Sequence, residues 1–406
     1  MLYAKLGIRN LIKHKRKTLL TLLTISLGFS CLLLAKGYSN YCLWGLRESI
    51  INGGTGHYQI FKSGFKANTD DDSFSFLIQD YKKIIRDFSS LPGVKFVAPR
   101  LSFTGILSSE GQTTTVVGYG GWLDEEKGLT SFSTISKGSF PRTNEPYDIL
   151  IGGGVAELSC LDISDEATLS VAMPSGAVNA MDFQVSGIIL NQLEEMENTF
   201  ALIPLETAQN VLDVQDSVDT FIIMLLDTDL MDSLSEDINT ICSRHGLEWR
   251  RWDEIVPYYS GAAEFYSSAM NIALIVIVSI VIFSIINSML MSVYERIREI
   301  GTMRSVGTTK GQIVRIIHAE SVLLGFFGCL IGLGVAVVVA AIVNSLGGIP
   351  LPPPPGNTRA YKGLIFLEYS DALKFSLSFI LVASLSSLFP AIKATRMSIA
   401  DTLRWL

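Results

Sequence analysis

Residues 294–314 read "YERIREIGTMRSVGTTKGQIV", a stretch dense in mixed charge and glycine. It lies between two apolar runs, at about 266–294 and about 321–346. Each run exceeds the about 20 helical residues that cross a bilayer core of about 30 Å. The charged stretch therefore reads as a segment held between two membrane crossings. Ile297, Ile300 and Met303 or Arg304 fall at helical spacing, with Glu295, Arg296, Arg298 and Glu299 on the other faces. Glu295 and Glu299 are i,i+4 neighbours, and each has an arginine close enough to pair with. Gly301 and Gly307 permit a turn or a tight helix contact, and Thr308 or Thr309 is placed to cap a restarting helix. Two readings follow. The segment is either a solvated hairpin joining two crossings or a rigid lever that docks on a partner and moves with it.

The chain around it has 406 residues, 48% hydrophobic and 17% charged, with a mean hydropathy of +0.37. That balance is a membrane protein's. Two more apolar runs, about 18–38 and 375–392, bring the expected crossings to four. The first follows "KHKRK" as in a secretory signal, but the run is long and no small-residue cleavage site follows it, so an uncleaved anchor is expected. Between Ser39 and Ser268 there are 14 Lys and Arg against 33 Asp and Glu; the rest of the chain has 18 against 6. The basic residues gather before the first run, in the 294–315 segment and at the C-terminus, which puts those three on the cytoplasmic side. The basic part is too short and too interrupted to be a nucleic-acid surface. The expected order is a cytoplasmic interfacial helix (1–17), a first span (18–38), an extracytoplasmic domain (39–265), a second span (266–294) and a coupling segment (295–318). A third span (319–346), a Pro-rich outer loop (347–371), a fourth span (372–392) and a cytoplasmic C-terminus (393–406) complete it.

The large outer block is a folded α+β domain. Strand patterns occur at 57–61, 113–120, 167–173, 183–189 and 221–226, and helical patterns at 80–91 and 233–246. A subdomain over about 119–204 is expected as an insertion. Of the five cysteines, Cys160 and Cys242 leave two alternatives open, a disulfide or buried free thiols. Pro352, Pro353, Pro354, Pro355 and Gly356 favour extended polyproline II in the outer loop, either a stiff return between helices or an element that touches cargo.

No catalytic constellation is legible. The dipeptide Gly-Lys never occurs, so there is no nucleotide phosphate-binding loop, and "IGGGVAEL" (151–158) has Glu157 where a third dinucleotide-binding glycine would stand, so it reads as a turn before a short helix. The nucleophile-elbow and zincin patterns are absent, and His14, His57, His245 and His318 are scattered. Asp70–Asp72 and the Glu194-Glu195 pair read as solvated loops. Lys36 and Glu320 fall near the ends of their apolar runs, with no charge in mid-span, so an internal ion-driven engine is not expected. Energy has to come from another chain.

"SVYERIREIGTMRSVGTTKGQIVRIIHAES" resembles the cytoplasmic signature of the FtsX-like permease superfamily, the membrane subunits of type VII ABC systems. "LFPAIKATRMSIADTLR" (388–404) resembles that family's C-terminal pattern, and "LGIRNLIKHKRKTLLTLLTISLGF" (6–29) its N-terminal entry. "LPGVKFVAPRLSFTG" (91–105) and "DILIGGGVAELSCLDISDEATLSV" (148–171) are similar to the MacB-type extracytoplasmic core. The resemblance implies an α-helical membrane protein with four transmembrane helices and a large α+β domain between the first two. It implies a non-catalytic permease subunit in the inner membrane, paired with a second permease chain, like or unlike, and served by two cytosolic ATPase subunits that bind ATP and Mg. Glu295, Arg296, Arg298, Glu299, Gly301, Arg304 and Gly307 would then form the coupling helix. A separate permease with one large outer domain is most similar to the lipoprotein-releasing Lol type, with a lipid or lipoprotein as cargo. A MacB-like exporter of peptides or small toxic molecules and an FtsX-like regulator of cell-wall hydrolases are the alternatives.

Overall fold

The computed structural model describes residues 15–65, 76–190, 197–351 and 361–396. Those residues divide into a helical unit and an α+β unit. Among the described residues four helices are long and apolar enough to cross a membrane: Lys15–Thr55, Pro257–Glu295, Lys310–Ser345 and Tyr369–Arg396. They are called the first to fourth span helices below. The fourth is interrupted at Ser387 and resumes as Leu388–Arg396.

Small residues let these helices approach closely, as they must where lipid offers no hydrophobic drive for association. Along the third span helix, Gly325, Gly328 and Gly332 are buried. A Cβ on Gly332 would stand 2.7 Å from the Ser26 carbonyl oxygen, and one on Gly325 would stand 2.9 Å from Ala383 Cβ. Gly28 does the same for the first span helix against Ile277 and Val281 of the second. Around these contacts pack Ile25, Phe29, Leu32, Val281, Ile285 and Phe379, with Phe29 and Phe379 edge to face at 5.5 Å. Ser321 Oγ donates to the Ala383 carbonyl at 2.6 Å, which fixes the third helix on the fourth.

The α+β unit is built on twelve strands: β1 (Tyr58–Lys62), β2 (Ile78–Gln79), β3 (Val94–Ser109), β4 (Gln112–Gly121), β5 (Thr134–Gly138), β6 (Asp148–Gly152), β7 (Glu166–Ala172), β8 (Val178–Leu190), β9 (Phe200–Pro204), β10 (Ser217–Val218), β11 (Thr220–Leu225) and β12 (Leu247–Arg251). Six of them close on themselves. β3 pairs with β4, β4 with β9, β9 with β6, β6 with β8, β8 with β7, and β7 returns to β3. The alternation along each strand turns Leu107, Val116, Ile151, Leu169, Phe183 and Ala201 into the buried core. Closure removes the free edges that an open sheet would expose.

The lower half of β3 also carries an open arm, β3-β11-β1-β12. Helices Tyr81–Ser89 and Met231–His245 cover it, burying Ile84, Ile85 and Phe88 of one and Leu234 and Ile238 of the other. His245 Nε2 and Asp87 Oδ2, 2.9 Å apart, join the two helices, and Gly246 ends the second in the left-handed region at φ 67°. Gly152 caps the short helix Gly153–Leu158, so the triple-glycine stretch is a turn into a helix. No disulfide forms: Cys160 is exposed and Cys242 buried, and burial pushes the Cys242 thiol up to about 12.

Candidate functional site: the segment between the second and third spans

The second span helix ends at Glu295, because Arg296 leaves helical geometry (φ −106°, ψ 16°). A separate helix, Ile297–Ser305, follows. Its apolar stripe is the one the spacing predicts. Ile297 and Ile300 are buried, and Met303 packs against the helical core. Gly301 is buried inside this helix and forms no turn. The turn belongs to Gly307, whose φ of 102° lies where only glycine sits without strain. Of the two capping candidates Thr309 is used. Its hydroxyl accepts from Gln312 N at 3.3 Å, and the Gln312 side chain accepts from Thr309 N at 2.9 Å, a full capping box that starts the third span helix.

Glu299 pairs with a nearby arginine, as the spacing suggests, and the other charges reach further along the chain. Glu295 is bonded to Lys17 of the first span helix. Arg296 donates through Nε to Glu299 at 3.1 Å and through Nη1 to Glu320 at 3.4 Å. Arg298 and Glu299 are exposed, as are the turn residues from Ser305 to Gly307, and Arg304 is half-buried. Val306 is 88% exposed, an apolar side chain presented at the tip of the segment. Sequence reading missed Lys17, Glu320 and Val306. Lys17 is far away in sequence, Glu320 looked like a residue at a span's end, and a lone valine carries no signal.

The α+β unit holds buried polar groups, but they fit structural roles. Arg100 lies against Glu126 through two bonds of 2.6 and 2.7 Å and donates a third to the Gly54 carbonyl at 2.8 Å. Burial raises Asp219, against the pull of its bonds from Ser102 and Thr220. Burial, with the Arg47 charge behind it, lowers His57 to about 4, so its ring is neutral near pH 7. His57 Nδ1 accepts from Leu225 N at 3.2 Å, which leaves Nε2 to donate to Thr228 Oγ1. Among the described residues no three His, Cys, Asp or Glu side chains gather as a metal site. Pro352, Pro353, Pro354, Pro355 and Gly356 lie outside the described residues.

The class these features define is a membrane protein with four candidate spans, a large α+β domain after the first and a short separate helix between the second and third. Residues 18–241 match the MacB-like periplasmic core domain and residues 271–399 the FtsX-like permease C-terminal region, and the chain belongs to this family of permeases. Over its whole length it is 24% identical to the lipoprotein-releasing system transmembrane protein LolC of Neisseria meningitidis, of which 99% is covered. It is 21% identical to LolE of Haemophilus influenzae, over 80% of this chain and 81% of that protein. The macrolide export ATP-binding/permease protein MacB of Nitrobacter winogradskyi is 23% identical over 62% of this chain, which covers 39% of that protein.

Proposed function

We propose that the chain is the membrane subunit of an ABC transporter that releases lipoproteins from an inner membrane. In this reading the termini and residues 295–318 face the cytoplasm, where two separate ATPase subunits bind ATP and Mg, and a second permease chain completes the complex. The helix Ile297–Ser305 and its tip seat in a groove of the ATPase; Arg298, Glu299, Arg304 and Val306 supply the contact, and Gly307 shapes it. ATP-driven closure of the ATPases then moves the span helices and, with them, the outer domain. The chain itself performs no catalysis.

The observation that carries the reading is the end-to-end match with a lipoprotein-releasing protein, set against partial coverage of the exporter, whose name includes an ATP-binding part. The ordered lever, with an exposed apolar residue at its tip, supports the docking role.

Affinity purification of the chain from native membranes tests it. An ABC ATPase and a triacylated lipoprotein are expected to co-purify. Glu299→Lys or Val306→Asp is expected to strip the ATPase while leaving the chain folded. Purification with neither companion, or with the ATPase retained by both variants, overturns the assignment.

A further inference from the structure

Three consecutive residues at the end of the second span helix each hold a different helix. Lys393 Nζ, from Leu388–Arg396, stands 5.5 Å from the centre of the Tyr294 ring. Glu295 bonds Lys17 of the first span helix, and Arg296 reaches Glu320 of the third. The last of these contacts is unlike the others. The Glu320 side chain is 7% exposed and that of Arg296 12%, whereas Lys17 and Glu295 are at 30% and 37%. Met289, Val293, Ile300, Ile313 and Ile317 surround the Arg296–Glu320 pair and a cavity of about 20 Å³ beside it. A carboxylate in an apolar shell is costly to desolvate, and an equivalent apolar pair would hold two helices together as well. The choice of ions calls for a reason beyond adhesion.

The geometry supplies one. Arg296 is the break between the second span helix and the lever, and its guanidinium forks from there. One arm goes to Glu299 on the lever, the other to Glu320 on the third span helix. The lever is also joined to the third span helix through the turn at Gly307. Lever, turn, the first turns of the third span helix and the Arg296–Glu320 bond therefore form a closed triangle. Ile297, Ile300 and Met303 seat the lever by apolar contact, which is non-directional, and the Arg296–Glu320 bond adds a directional tie between the break and the third span helix.

We infer that Glu320 is a positioning residue: it locks the lever and the third span helix into one rigid body, so that force applied at the lever reaches the membrane. The role as force transmitter rests on the proposed function; the rigidity does not. The test uses the full chain in detergent micelles, with spin labels on Ser305→Cys and Phe326→Cys and the accessible native cysteines Cys31, Cys42 and Cys160 replaced by serine. A single narrow distance distribution is expected with Glu320. Glu320→Ala should broaden it at least about twofold, and Glu320→Gln, which keeps an acceptor oxygen, should fall between. An unchanged width in both variants overturns the inference. In the co-purified complex, Glu320→Gln should retain a full complement of ATPase and lose about tenfold in ATP-driven cargo release, a size that coupling substitutions reach. Retained release with a broadened distribution also overturns the transmitting role. Failure of the wild-type chain to bring down an ATPase defeats the proposed function instead, and leaves the distance measurement to decide the rigidity.

Discussion

Replacing Glu126 by alanine is the most demanding test of what holds the α+β unit together. Glu126 is fully buried and the Arg100 side chain 8% exposed. The guanidinium makes two bonds to the carboxylate and one to the Gly54 carbonyl, and it lies 4.6 Å from the centre of the Tyr119 ring. Gly54 belongs to the π-type turn Ile51–Thr55 that ends the helix, and it sits at a φ of 114°. One arginine thus ties that turn, β3 and the helix Leu123–Leu129 together. Deleting the carboxylate leaves a buried cation with the carbonyl, the ring face and the more distant charge of Asp219, and removing one partner of a buried pair costs about 3–5 kcal/mol. At about 2–4 °C per kcal/mol for a domain of this size, the melting temperature should fall by about 6–20 °C. Tryptophan fluorescence of the purified chain in detergent reads this directly, because Trp44, Trp122, Trp249 and Trp252 all lie in the outer unit. The double substitution Arg100→Met with Glu126→Leu removes both charges and should recover most of the loss. Melting of Glu126→Ala within about 2 °C of wild type, or a double variant as unstable as the single, would refute the argument.

Three further outcomes follow from single positions. Gly332→Val should weaken the span bundle by about 1–3 kcal/mol, since the Ser26 carbonyl it would strike cannot rotate away, whereas Gly334→Ala, with open space around it, should be neutral or slightly stabilising; detergent melting curves separate the two. Burial, then the neighbouring Glu145, raises Asp148 to about 6 from 3.8, so between pH 4 and 6 the folded protein keeps a proton that the unfolded chain has lost. Its stabilising contribution is therefore complete below pH 4, falls as pH rises from 4 to 6 and is gone above that; Asp148→Asn should flatten that slope in melting temperature against pH. Maleimide should modify Cys160 in the native protein and spare Cys242 until unfolding, as read by mass spectrometry of the peptides.

What could be read from the sequence was what local spacing encodes. The windows at 57–61, 113–120, 167–173, 183–189 and 221–226 overlap β1, β4, β7, β8 and β11, and the two helical windows overlap Tyr81–Ser89 and Met231–His245. β3 escaped because Pro99 interrupts its pattern, and a proline argues against a central strand. The structure shows why it is tolerated. β4 joins β3 only from Arg100 onward, so at Pro99 one flank of the strand has no ladder to which an N–H could contribute. The closed ring was likewise beyond reach, since it depends on β7 returning to β3 across more than fifty residues, and nothing in either strand announces its partner.

The segment between the second and third spans was legible as a helix and a turn, and its charge pairing only in part. Its apolar stripe, its capped restart and its glycine turn are all set by neighbours a few residues apart, and periodicity or capping chemistry displays such relations in sequence. Its charges are settled that way only in part. Glu299 takes the nearby Arg296, as local spacing suggests, but Glu295 is also bonded to Lys17 from a different helix, and Arg296 reaches Glu320 as well. Glu320 shows the cause most plainly. Counted along the apolar run it stands at an edge, where a charge would reach water; counted along the helix that begins at Lys310 it lies about three turns in, among isoleucines. Hydropathy measures the run, and burial is set by the helix together with what packs on it. A glutamate that a hydropathy reading assigns to the interface can therefore be buried and bonded to an arginine of a neighbouring segment. Its position in the helix and the arginine opposite identify it, where hydropathy does not.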